Sequence, residues 1–146
     1  MIQVDTNDIL NRLLVLHARS LAMYLGYAQP DHIRKLPHAA ALLDQMVADH
    51  KRTGDRLATL ILENRGTVDH GEFPMSFTGL HDLSVDYLFK LLIDRQKRFI
   101  PVVEKLAAML TLAPYAQAEA REAVGEARGH LENLQEFVGQ AQPAVH

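Results

Sequence analysis

Leu43-Asp44-Gln45-Met46-Val47-Ala48-Asp49-His50-Lys51-Arg52-Thr53-Gly54-Asp55-Arg56-Leu57-Ala58-Thr59-Leu60-Ile61-Leu62-Glu63-Asn64 is the stretch that decides the fold. Leu43, Met46, His50, Thr53, Leu57, Leu60 and Asn64 recur at alternating spacings of three and four, the seam of a packed helix and not the period-two pattern of a strand. This helix is predicted from Pro37 to Arg65, with Gly66 as its stop. Upstream, a first helix is predicted from Asp5 to Ala28, capped by Asp5 or Thr6. Its apolar residues (Leu10, Leu13 or Leu14, Leu21, Tyr24) leave only a narrow polar stripe at Asp8, Arg12 and Arg19. Val15, Leu16, Ala22, Met23 and Leu25 then make a second apolar face, which predicts a homodimer contact.

Residues 66–81 carry three glycines and Pro74 without clear periodicity. Sixteen extended residues reach roughly 50 Å, more than the roughly 44 Å of the second helix, so this segment can cross the whole molecule. A third helix is predicted over Asp82–Leu112, with Leu88, Leu92, Phe99, Val102, Leu106 and Met109 inward and a kink or register shift at Pro101. Pro114 suits the first turn of a fourth helix. Its inward stripe reads Ala116, Ala120, Ala123, Ala127, His130, Leu134 and Phe137, and the alanines permit close approach or a cavity beside His130. The predicted fold is all-α: one domain over 1–146, a four-helix bundle of two antiparallel hairpins joined by a long crossover.

Composition narrows the function. There is no cysteine, which excludes disulfides, thiolate metal sites and thiol nucleophiles and fits a reducing compartment. No secretory signal or bilayer-spanning apolar run is visible, so the chain reads as cytoplasmic and without a membrane partner. The net charge of -3 and the short basic run Arg95-Gln96-Lys97-Arg98 give no basis for nucleic-acid binding. Phosphate loops, nucleophile elbows and zinc-finger spacings are absent.

The chemistry-bearing pattern is a set of histidines. His17, His50 and His130 fall on the inward stripes of three different helices. A buried imidazole nitrogen without a partner costs on the order of 1–3 kcal/mol, so three together require each other, trapped water or a metal. Asp94 and Arg95 compete for the centre of the third helix. Asp94 inward adds a carboxylate ligand; Arg95 inward favours an anion instead. Asp94 also has a plain role as the i,i+4 partner of Arg98. Asp49, Asp55 and Glu126 flank the stripes, and any of them replaces Asp94 if the helix phase differs. His32, His38, His70, His81 and His146 fall at ends or in loops and are predicted to be exposed.

Leu10-Asn11-Arg12-Leu13-Leu14, Asp55-Arg56 with Ile61-Leu62 and Gly66, Gly129-His130 and the spacing from position 17 to 50 resemble the ferritin-like family, bacterioferritins most closely. The resemblance implies an inward Glu on two helices and Glu-x-x-His on the other two. Under it, His17 stands at the first Glu position. His50-Lys51-Arg52-Thr53 replaces Glu-x-x-His, Asp94 falls near the third-helix Glu, and Ala127 replaces the last Glu while His130 matches. Tyr24 matches a tyrosine often found near the site. A dioxygen-activating di-iron centre is held by several carboxylates, and at most one remains, so ferroxidase activity and iron storage are not expected.

The expected cofactor is one divalent transition-metal ion, iron or zinc first, on His17, His50 and His130 with help from Asp94. Oxidoreductase-like chemistry is implied by the resemblance alone. The alternative is a non-enzymatic binding or interaction protein whose waist has decayed to a small cavity lined by Thr53, Ala123 and Ala127. A hemerythrin-like arrangement fails because Gly54 and Leu134 stand where its histidine-paired ligands belong.

Overall fold

The computed structural model describes residues 2–80 and 82–141, with His81 and His146 outside them. The described residues are helical and contain no strand. The first helical stretch is broken in two: α1 spans Ile2–Ala18 and α2 Leu21–Ala28. A continuous helix from Asp5 was predicted; the break comes from Ser20, whose hydroxyl accepts the Met23 N–H at 3.3 Å and restarts the helix as its N-cap, a contact worth about 1 kcal/mol. A single turn, α3, covers Asp31–Arg34, and α4 runs Pro37–Glu63. The left-handed residue that ends α4 is Arg65 (φ 61°) rather than Gly66. Gly66 donates to Ile61 O at 2.8 Å, and a Cβ there would sit 2.7 Å from Asn7 Nδ2 and 2.9 Å from Ile61 Cγ2. Close packing on α1, not a positive φ, is what calls for glycine.

The crossover runs along the first helix from end to end. Asn11 Nδ2 donates to Thr67 O, and Asp69 N donates to Asn11 Oδ1. Gly71 packs on Val15, Arg19 Nε donates to the carbonyls of His70 and Gly71, and Phe73 and Phe77 meet Tyr24. A 3-10 turn at Met75–Leu80, not foreseen from the sequence, closes the segment. Of the apolar second face of the first helix, which predicts a dimer contact, Val15 packs on Gly71 of the chain's own crossover, and Ala22 and Leu25 belong to the core.

Ser84 caps α5, Val85–Ala108, which continues through Pro101. The last helix, α6, spans Pro114–Ala141 and begins at the predicted proline. Helix α1 packs on α4, α5 on α6, and α4 on α6, with a lighter α1–α5 contact. The core is in two parts. One gathers Leu10, Leu13, Leu57, Ile61, Val103, Leu106 and Ala120; the other gathers Leu25, Leu43, Met46, Leu88, Phe89, Leu92 and Leu134. The order of residues in these clusters shows that α4 and α5 run parallel, while α1 and α6 run opposite to them. No helix is long and apolar enough to cross a membrane.

Candidate functional site

Between the two apolar clusters lies a polar waist. Among the described residues, the buried polar side chains are His17, Asp49, His50, Thr53, Gln96 and His130, none more than 9% exposed. His17 ends α1 just before the Ser20 break. His50 and Thr53 lie on the α4 seam as the spacing predicts, but the inward face is two residues wide there, with Asp49 beside His50 and Gly54 beside Thr53. His130 follows the alanine stripe of α6, of which Ala116, Ala120, Ala123 and Ala127 are all buried.

The three histidines come together. His17 Nδ1 and His50 Nδ1 are 2.9 Å apart, and the His50 and His130 ring centroids are 6.4 Å apart. Phe99 meets His17 and His50 edge-on. In the Nδ1–Nδ1 bond one ring donates and the other accepts, so the donor ring presents an Nε2 lone pair and the acceptor ring an Nε2–H. The Nε2 atoms of all three rings are buried without a hydrogen-bond partner among the described residues. His130 Nε2 does have a close polar neighbour, Asp49 Oδ2 at 2.9 Å.

Asp94 is not part of this site. It lies on the exposed side of α5 and accepts from Arg98 Nη2 at 2.8 Å, the i,i+4 role. Arg95 does not face the waist either; its guanidinium lies over the Phe77 ring. The inward residue is Gln96, whose Nε2 donates to Ala127 O at 3.0 Å. The true α5 seam is Leu88, Leu92, Gln96, Ile100, Val103 and Leu106. Phe99 is only partly buried, and Val102 and Met109 are exposed. The predicted stripe leapt from Leu92 to Phe99 because a glutamine does not look like a core residue; its paired amide makes it one.

The carboxylate of the waist is Asp49. It accepts from Arg52 Nη1 at 2.9 Å and from Gln45 Nε2 at 3.1 Å, while the other arm of Arg52 pairs with Glu126. Two carboxylates against one guanidinium leave the cluster with one net negative charge. Burial holds the imidazoles neutral. It lowers His17 to about 4. It lowers His50 well below the ordinary range, with His17 and His130 adding to the effect. It lowers His130 too, with Asp49 opposing the shift.

A cavity of about 10 Å³ is lined by His17, Asp49, His50, Phe99, Ala123, Glu126, Ala127 and His130. That is the lower limit for one water molecule or one small ion. Ala123 and Ala127 line it as predicted; Thr53 does not. Among the described residues, no group of three or more His, Asp or Glu side chains is placed to hold a metal ion as the rings stand. Tyr24 lies in the distal cluster against Phe73 and Phe77. Of the other histidines, His38 and His70 are exposed, whereas His32 is half-buried. No family model, characterised protein or solved structure matches this chain.

Proposed function

We propose that this chain is a ferritin-like four-helix bundle whose waist binds a single divalent transition-metal ion, with His17, His50 and His130 as ligands and Asp49, not Asp94, as the nearby carboxylate. The observation that carries the reading is the burial of three imidazoles beside one small cavity that all three line, with the Nε2 atoms of His17 and His50 unpartnered among the described residues. The electrostatics agree, since neutral imidazoles and a net negative carboxylate–arginine cluster favour a cation over an anion. The parallel course of α4 and α5, joined by a segment that travels the length of the first helix, supports the bundle reading.

The donor set suits one zinc or iron(II) ion. It does not suit a carboxylate-bridged pair of irons, because Asp49 and Glu126 are both committed to Arg52. Bound there, such an ion supplies a Lewis acid or a one-electron centre. The chain's own residues shape the site: Phe99 packs edge-on against His17 and His50, and ligation by His130 through Nε2 would replace that atom's contact with Asp49. Ligation by both His17 and His50 through Nε2 requires both rings as Nδ1–H tautomers. Two Nδ1–H groups cannot share one bond, so such ligation breaks the 2.9 Å contact.

The test is metal content of untagged protein after equilibration with zinc(II) or iron(II), beside a His50→Ala/His130→Ala variant. About one equivalent, lost in the variant and kept in Asp94→Ala, supports the reading. No retained metal, with melting indifferent to metal and chelator, refutes it. The His17–His50 bond favours a second reading, a non-enzymatic binding or interaction protein whose waist is a self-contained polar network. It predicts that refuting result and a ring ¹⁵N spectrum with one Nδ1–H and one Nε2–H tautomer whatever metal is added.

A further inference from the structure

A second, larger cavity opens on the other side of His50. Its volume is about 300 Å³, and it lies between the α1–α2 break, α5 and the crossover. Its walls are mainly aliphatic, with Leu16, Leu21, Ala22, Met46 and Leu92 among them. Three arginines, Arg19, Arg95 and Arg98, and one acid, Glu72, also line it.

The arginines are unequal. Arg98 is paired with Asp94. Arg19 and Arg95 pair with no carboxylate among the described residues; each instead lies over an aromatic ring of the crossover, Arg19 4.7 Å from the Phe73 centroid and Arg95 5.3 Å from the Phe77 centroid. Arg19 is further held by the His70 and Gly71 carbonyls through Nε, leaving its terminal nitrogens without a hydrogen-bond partner among the described residues. Aromatic and carbonyl contacts of this kind fix a guanidinium in place without neutralising it.

We propose that this pocket binds a small aliphatic monocarboxylate, its carboxylate at Arg19 and Arg95 and its chain laid inward over Leu21, Met46 and Leu92 toward His50. An apolar cleft of this size with a few charged groups is typical of small-molecule sites. That volume suits a single saturated chain of about eight to ten carbons. The carboxylate belongs at the arginine end because a guanidinium stays charged at every working pH and offers a two-pronged donor. His50, which the ligand's far end approaches, carries an unpartnered Nε2 in a nearly sealed position. The ligand therefore reaches one edge of the waist while its affinity comes from the pocket alone.

Isothermal titration with decanoate, below its micelle concentration and with EDTA present, tests this independently of any metal. The expected result is one saturable equivalent, with decan-1-ol at least tenfold weaker and Arg95→Gln weakening decanoate about tenfold. Ala22→Phe, which fills the pocket, abolishes binding. Because Ala22 is buried, Val102→Trp at the exposed rim provides a second block that leaves the core untouched. No saturable binding, equal binding of the alcohol, or full binding in the folded Val102→Trp protein overturns the proposal. Metal uptake at the waist with no decanoate binding in EDTA refutes the pocket alone. Decanoate binding with no metal uptake refutes the metal reading alone.

Discussion

Replacing His17 by asparagine is expected to flatten the acid side of the stability profile. In the fold, burial lowers the His17 ring to about 4 from an ordinary value of 6.5. Between those two pH values the unfolded chain carries a proton that the folded chain refuses, so acidification favours unfolding. The stability associated with the neutral ring is fully present above about pH 6.5, falls through the interval and is lost once pH drops below the folded value. A difference of 2.5 units, from 6.5 to 4, corresponds to about 3 kcal/mol at 1.36 kcal/mol per unit.

Asparagine places an amide near the former Nδ1, so it can keep the bond to His50 while removing the titration. Urea unfolding in EDTA at intervals from pH 7.5 to 4.5 gives both profiles, and their difference cancels the surface carboxylates common to both proteins. Over that range, which stops just above the folded value, the wild-type profile should fall by roughly 2–3 kcal/mol more than that of His17→Asn, with most of the divergence below pH 6.5. Profiles that run parallel to within about 0.5 kcal/mol would refute the claim that His17 is held neutral in the core.

Asp49→Asn should cost about 2 kcal/mol, because it withdraws the charge shared by Arg52 and His130 at a largely buried position; urea midpoints measure it, and a change under about 0.5 kcal/mol would remove Asp49 from the waist. Asp94→Ala should change stability by less than about 0.5 kcal/mol, since it removes only an exposed helical ion pair, and its metal content should equal that of the wild type. Gly66→Ala should cost about 1–3 kcal/mol, since the added methyl meets Asn7 and Ile61; thermal melting reads this, and an unchanged Tm would show that the α1–α4 junction yields freely.

Periodicity made most of the fold legible. The α4 seam and the α6 alanine stripe were readable because apolar and small residues repeat there at three and four. Through them His50 and His130 could be placed on facing helices before any coordinates were known. The failures share a physical cause. Where a polar residue is buried because its partner satisfies it, hydropathy misreads the phase, and Gln96, bonded to the Ala127 carbonyl, was passed over in favour of its neighbours. Asp49 is legible only as one of three flanking acids, with Asp55 and Glu126: it sits one residue before His50 on a face two residues wide, and the contacts of Gln45, Arg52 and His130 are what distinguish it from a solvated acid. The break at Ser20 had a sequence signal, a capping residue, but it stood inside an apolar run that reads as unbroken helix. The second face of that helix was read correctly as apolar. Part of its cover is the crossover, where Gly71 meets Val15, a pairing no local pattern records.

The location of the polar waist argues for a ligand more strongly than its composition does. Apolar clusters stand on either side of it, one with buried side chains from α1, α4, α5 and α6, the other with buried side chains from α2, α3, α4, α5 and α6. A bundle selected for stability alone would gain by joining them through an apolar layer, because neutral imidazoles with unpartnered nitrogens each lose on the order of 1–3 kcal/mol and isosteric apolar replacements lose nothing comparable. The waist also coincides with the place where α1 breaks, so the two cavities adjoin the same irregularity and share His50. A stabilised variant such as His17→Leu/His50→Leu/His130→Leu is then the sharpest counterweight to the functional reading. It should melt higher than the metal-free wild type, take up no metal and respond to neither zinc nor EDTA. If the wild type in EDTA proves the more stable of the two, the histidines are holding the bundle together through their own bonds, and the waist is a structural network rather than a site.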